Sequence, residues 1–600
     1  MKISRSSVSL GVVALLIAGG AGLPALGQDS PESILPPGFN EPLPTPVPTP
    51  ARSGVPAPAL PGVPSGAVPT SPALSAPTPS PTPSATPTPI DLSRYELPEA
   101  AKRSLAQVGI ASGDSGLLAP DAFGTASGRM LETLMRRLDA PLPSRWLSIA
   151  LRRALVSRVN TPRGVNGADF AAERAWLLLR MGESDSARAV VQSVDVANYT
   201  PKLYQVAMQA MLANGDPAGL CPLVEGGSRV STDAAWTLAS AMCAGLSAEP
   251  TAAGAQLDRI RRRMGRGIDY LLAEKVVGAG AGGRRAVTIE WGGVDRLTAW
   301  RYGLATATGV EIPSDLLSGA RPAVSGWLAT SPMIDAGRRA ASSEFAATQG
   351  ILSNLALTDL FGEIEASDDA NSAEATIARD LRSAFSEGTE TQRLTTLKAL
   401  WGNAPGASGQ DRTRFARMVL TARAAARIQP RAEYVEDSSA LIASMLTAGL
   451  DRTAVAWRNV VPEGSDGWAM LALAEPAGRR VSGDAVETYA GQGGALGRLR
   501  GRMLLAGLTA LGRVAPEDAE ALAQPLDVKF GAQNAWTRAI DAAAGRGEPA
   551  TVLLLVAVGM QTEHWRGVPP EALYHAVSAL RSVGLDGEAR MIAAEAIARI

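Results

Sequence analysis

Six hundred residues exceed what one hydrophobic core ordinarily serves, so the chain reads as several domains or as an array of units packed on their neighbours. A hydrophobic fraction of 46% with only 4% aromatic residues makes the apolar mass mainly Ala, Leu and Val, which suits close-packed helices better than a β-sandwich. With 57 basic and 58 acidic residues the net charge is −1, which excludes a whole-protein field for nucleic acid or an acidic membrane surface.

At the N-terminus Lys2 and Arg5 precede an apolar run from Val8 to Ala21, and Ala25-Leu26-Gly27 forms a small-x-small cleavage site before Gln28. Residues 1–27 therefore read as a secretory signal peptide and the mature protein as periplasmic, with an uncleaved N-terminal anchor as the alternative. No cysteine follows the apolar run, which argues against lipoprotein anchoring. No later stretch reaches 18 apolar residues without a charge or a helix breaker, so no integral membrane span is expected after signal cleavage. The excess of arginine over lysine and the abundance of alanine point to a high-GC bacterial genome. Residues 28–92 form a Pro/Ser/Thr-rich linker expected to be disordered. Runs such as PLPTPVPTP favour polyproline II, and sixty such residues at about 3.1 Å each reach roughly 190 Å when fully extended. The linker is a semi-rigid tether across the cell wall, a Ser/Thr-rich glycosylation target, or a leader that keeps the following domain soluble.

From Ser127 onward amphipathic segments alternate with Gly, Pro, Asn or Asp breaks, and the chain divides into an N-terminal helical region (93–277) and a C-terminal one (278–600). Residues 170–180 pair with 187–194 across Met181-Gly182-Glu183, residues 202–213 with 218–224 across Asn214-Gly215-Asp216, and residues 232–246 with 251–263. Two irregular stretches, 278–283 and 363–369, are candidate hinges. Residues 287–291 fit a short strand less well than a loop that packs Trp291. Helices are expected again at 412–426, 438–448, 454–461, 496–511 and 550–558. The last thirty residues give the cleanest unit: Leu573, Tyr574, Val577 and Leu580 line one helix, Gly584 breaks the chain, and Ala589, Ile592, Ala593, Ala596, Ile597 and Ile600 line the next. Gly182, Gly449 and Gly584 are each followed five residues later by alanine, and Gly215 by Leu220. This spacing resembles the tetratricopeptide repeat family, whose 34-residue unit carries a glycine near its turn and an alanine five positions on. The resemblance implies an all-α, right-handed α-solenoid of stacked antiparallel hairpins. The chain also resembles Ala-rich helical proteins secreted by α-proteobacteria, which implies no activity.

Few residues suggest chemistry. Cys221 and Cys243 are the only cysteines, and in an oxidising compartment a disulfide is the natural reading, with two buried thiols or a redox pair as alternatives. His564 and His575 have no partners at metal-ligand spacing, so no metal or other cofactor is expected. Gly113-Asp-Ser-Gly116 resembles a protease nucleophile turn but no histidine precedes it, and the glycines of 278–283 lack the Lys-Ser/Thr of a phosphate loop. Gly559-Met-Gln561 resembles a lytic transglycosylase motif whose Glu-Ser acid pair is missing upstream. Arg259, Arg261, Arg262, Arg263 and Arg266 form a candidate patch for an anion or acidic partner, and Arg498, Arg500 and Arg502 a more modest one; solvated helix faces are the plain alternative. The pattern points to a non-catalytic periplasmic scaffold that binds an envelope protein or peptide in a helical-repeat groove. The alternatives are a spacing protein on peptidoglycan or another envelope polymer, and the superhelix of a cell-wall hydrolase.

Overall fold

The computed structural model describes residues 98–600 apart from 114–115, 248, 281–285, 367–371 and 403–407, so the signal-peptide and linker readings lie outside the described residues. The described chain is all-helical apart from a two-residue antiparallel ladder, β1 (Gln107–Val108) with β2 (Val159–Asn160), and one isolated bridge.

An outward row begins with α1 (Gly128–Arg137), α2 (Arg145–Val156), α3 (Gly167–Arg180) and α4 (Ser184–Gln192). It continues through α5 (Pro201–Ala213), α6 (Val224–Val230), α7 (Ala234–Leu246) and α8 (Pro250–Met264). The chain then turns back: α9 (Ile268–Ala279) packs on α7 and α10 (Ala299–Ala307) on α5. Gly303 permits that return, because a Cβ there would meet the Leu212 carbonyl oxygen at 2.4 Å.

Next come α11 (Ser314–Ser318), α12 (Ala323–Thr330), α13 (Ala336–Gln349), α14 (Asn354–Glu365), α15 (Ala373–Ser386), α16 (Glu390–Trp401) and α17 (Ser408–Ala425). Leu357, Leu360, Phe361, Leu381, Phe415 and Leu420 give this group a small core of its own. The chain finishes with α18 (Ser438–Thr447), α19 (Asp451–Ala454), α20 (Asp466–Ala474), α21 (Gly483–Ala490), α22 (Gly494–Leu511) and α23 (Pro516–Ala523). Last are α24 (Ala535–Gly545), α25 (Pro549–Gly559), α26 (Pro570–Ser582) and α27 (Asp586–Arg599).

Local chemistry explains the boundaries. Ser144, Asn166, Thr200, Thr298 and Ser465 each accept a backbone N–H at the start of a helix, satisfying a donor the helix itself leaves open. The turn glycines Gly182, Gly215, Gly449 and Gly584 have φ of +86°, +63°, +71° and +84°, which an L side chain resists. The residues five positions on, Ala187, Leu220, Ala454 and Ala589, are fully buried.

Two expected helices are replaced in part by tighter turns. Pro222 lies inside a 3₁₀ segment at Ala218–Leu223, where its missing N–H withholds an α-helical bond, and Val455–Asn459 follows the short α19 as 3₁₀. Residues 287–291 form a loop, with Trp291 Nε1 donating to the Glu311 carbonyl at 2.9 Å.

The packing goes beyond the neighbour-on-neighbour pattern of a simple repeat array. α2 touches α3 and α4 nearby, α13 farther along, and α25 and α27 at the end of the chain, while α1 also packs on α25. The C-terminal helices thereby close against the first ones.

Candidate partner-binding surface

The arginine patch sits at the outer edge of the first row. α8 packs on α7 and α9, burying Ala253, Leu257 and Ile260 at helical spacing. At 100° per residue, Arg259 and Arg262 fall on the opposite side and Arg263 on the adjoining flank, and all three are exposed. Asp258 is the only acidic residue within the helix; it stands 3.9 Å from Arg261 and four residues before Arg262, about 40° from it around the helix. Gly265, with φ +79°, ends the helix, and Arg266 beyond it lies 3.3 Å from Glu274 of α9.

Among the described residues the side chains of Arg259, Arg262 and Arg263 make no hydrogen bond or ion pair, and like charges three and four residues apart repel by about 0.2–0.5 kcal/mol per pair. Placing Arg261, Arg262 and Arg263 in the last turn offsets part of this through the helix dipole. Positive charge continues past the helix. Asp269 of α9 is gripped by Arg301, Nε to Oδ1 at 2.9 Å, and Arg301 also donates to the carbonyl of the exposed Arg296 at 2.7 Å.

The two cysteines support this edge rather than any reaction. Cys221 on the 3₁₀ segment and Cys243 on α7 have sulfurs 2.06 Å apart and Cα atoms 5.5 Å apart, a disulfide that fastens the helix carrying α8.

The other basic helix differs. Arg498 and Arg502 of α22 donate to the Pro525 and Asp527 carbonyls, and Arg500 holds Asp466 at 2.9 Å, so these cations are joined to the protein's own groups. The same holds for several arginines that sequence patterns left unmarked. Arg145 donates to the Ala347, Leu352 and Thr447 carbonyls, Arg513 to Ala472, Leu473 and Glu475, Arg174 to Val108 and Ser157, and Arg180 to Met135 and Leu138. Burial lowers the guanidinium pKa of Arg145 to about 10 and of Arg174 to about 9. Each is an internal brace at the end of a helix or loop.

One cluster does pair carboxylates. Glu173 is fully buried on α3 and receives Arg136, at 2.7 Å from Nε, and Lys202; Glu132 on α1 lies beside the same two cations. Burial raises the Glu132 pKa, Lys202 opposes the shift and Glu173 reinforces it. Two cations already match these acids, so the cluster works as a strut between α1, α3 and α5.

The remaining sequence signals have structural roles or fall outside view. A Cβ at Gly559 would meet the Trp536 ring at 2.2 Å, and Gln561 accepts the Asp139 N–H at 3.3 Å. His575 is buried on α26 with Nδ1 3.5 Å from Asp541, while His564 is exposed. Among the described residues, no group of three or more His, Cys, Asp or Glu is arranged to hold a metal. Asp114 and Ser115 of the protease-like turn lie outside the described residues, as do 281–283 of the glycine run and 367–369 of the acidic hinge. Among the described residues, no helix is long and apolar enough to cross a membrane. No protein-family model, curated protein or solved structure matches the chain.

Proposed function

We propose that the protein is a non-catalytic scaffold of the bacterial envelope, presenting the arginine edge of α8 to an anionic partner at the end of a proline-rich spacer. One contrast carries the reading. Arg145, Arg174, Arg180, Arg498, Arg502 and Arg513 all grip main-chain carbonyls, whereas Arg259, Arg262 and Arg263 stand together in solvent on an edge helix. Unpaired like charges cost a helix stability, and an external anion would relieve that cost. The signal-peptide pattern and the linker supply compartment and reach. An α-solenoid with a concave groove, as the repeat spacing implies, would bind its partner along the helical rows instead; contact through the edge needs no groove.

The test is site-specific photo-cross-linking in cells, with the reactive group at position 262 and, as a reference, at the exposed Arg158. Recovery of an envelope component from position 262 and not from 158 is the expected result. Equal recovery at both positions would remove the edge from the reading.

A further inference from the structure

We infer that the arginine edge of α8 docks on an anionic phospholipid surface, its guanidinium groups engaging headgroup phosphates. The inference rests on the reading of this edge as a contact surface and gives the partner its chemistry.

Shape argues for a surface rather than a peptide. Peptide recognition draws specificity from a groove, a sheet edge or side-chain pockets. Here the charges line the outer side of one helix whose inner side, Ala253, Leu257 and Ile260, is already covered by α7 and α9. Such an edge can lie on a flat charged layer but cannot enclose an extended chain.

Composition argues the same way. Five arginines lie at 259–266, and Asp258 is the single acidic residue within the helix, so positive charge dominates its C-terminal half. Guanidinium forks match phosphate oxygens two at a time. The overall charge of −1 gives the rest of the molecule no attraction for such a surface, so docking would be oriented by this edge. The disulfide at the base of α7 holds the edge in place.

Co-sedimentation of the full chain with vesicles of phosphatidylglycerol and phosphatidylcholine, set against phosphatidylcholine alone, tests this at low and high salt. Any contribution of the N-terminus, which carries Lys2 and Arg5 ahead of its apolar run, is the same in the parent and both variants and cancels when they are compared. The anionic preference is expected to fall at high salt and to fall about a hundredfold in R259Q/R262Q/R263Q, close to fivefold for each arginine. The charge-matched variant R129Q/R158Q/R163Q, altered at exposed arginines outside α8, should keep it. No preference for anionic vesicles, or equal loss in both variants, overturns the lipid assignment. A parallel arm with peptidoglycan sacculi and polyglutamate separates the two readings: capture that depends on the α8 arginines without vesicle binding would sink the lipid assignment and leave the anionic-partner reading standing. Failure of every arm would end both.

Discussion

A buried charge in this protein is tied to more than one element, so its removal should be felt beyond its own helix. Glu173 shows the principle. Its carboxylate receives Arg136 of α1 and Lys202 of α5, and it has no exposed surface, so Glu173→Gln would take from both cations their closer anion and leave them only Glu132, at 3.4 and 3.6 Å. Breaking a buried pair from one side costs about 3 kcal/mol or more. Glu132 borders the same cations, but burial already pushes its pKa up, which means that its charged form is disfavoured in the fold. Glu132→Gln should therefore stay within about 1 kcal/mol of the parent. Urea unfolding of both variants decides the matter, and equal losses would refute the division of roles. None of this was legible in the sequence, where Glu132, Glu173 and Lys202 are separated by loops and two helices. Charge patterning detects partners three or four residues apart; it does not find a carboxylate shared among three helices. The exposed stripe at 259–263 was legible because its spacing is local.

Sequence periodicity located elements well where a helix buries one stripe and poorly where it is surrounded. The pairing of α3 with α4 and of α26 with α27 follows from apolar spacing and turn glycines. α27 departs from the expected one-sided pattern: Arg590 and Glu595 are buried along with the apolar stripe, because the helix lies among α2, α18, α20, α22 and α26. Glu595 accepts the Ser144 hydroxyl at 2.6 Å and the Arg145 N–H at 2.8 Å, placing a carboxylate at the start of α2. The segment before α1 is a second element that periodicity missed: Val108, Ala122, Phe123 and Ala126 are buried without a helical or strand repeat, and carboxylates tie the segment down as well. Asp195 accepts the Arg103 N–H at 2.7 Å and its Nε at 2.8 Å, and Glu548 accepts from the Thr125 N–H and hydroxyl. The Arg103 backbone bond and side chain hold Asp195 below its ordinary 3.8. Burial opposes ionisation of Glu548, yet bonds from Arg546 and Thr125 keep it below its ordinary 4.5. A depressed carboxyl contributes stability above its unfolded pKa and loses it as pH falls through the folded value. Glu132 and Glu183, raised chiefly by burial, act in the opposite sense and become easier to accommodate as pH falls. Below about pH 4 residues 98–126 should consequently detach before α1, α3 and α4 open. Peptic cleavage mapped by mass spectrometry at descending pH should appear first in that segment; simultaneous cleavage in α3 would contradict it.

At the scale of the molecule, the closure between the first and last helices sets how the chain responds to shortening. In a solenoid each unit contacts its neighbours, so removing the terminal unit costs one interface and leaves the rest folded. α27 does more than cap a row. It covers α20 and α22, meets α18, and supplies Glu595 to the start of α2 more than four hundred residues earlier in the chain. Arg599 reaches back as well, donating to the Pro143 carbonyl and lying 4.4 Å from the Phe415 ring centre. Arg590 joins Asp451 and the Ala474 carbonyl at the end of α20. A chain ending at residue 585 would uncover the faces of α2, α20 and α22 that pack on α27, and would remove Glu595, the carboxylate that favours the Arg145 charge. We therefore expect that truncation to give a chain without a cooperative thermal transition, whereas an array with only neighbouring contacts would keep one at a slightly lower temperature. Calorimetry of the two chains distinguishes these outcomes. A cooperative transition within a few degrees of the parent would mean that the closure adds little, and that the helical rows are stable as separate units.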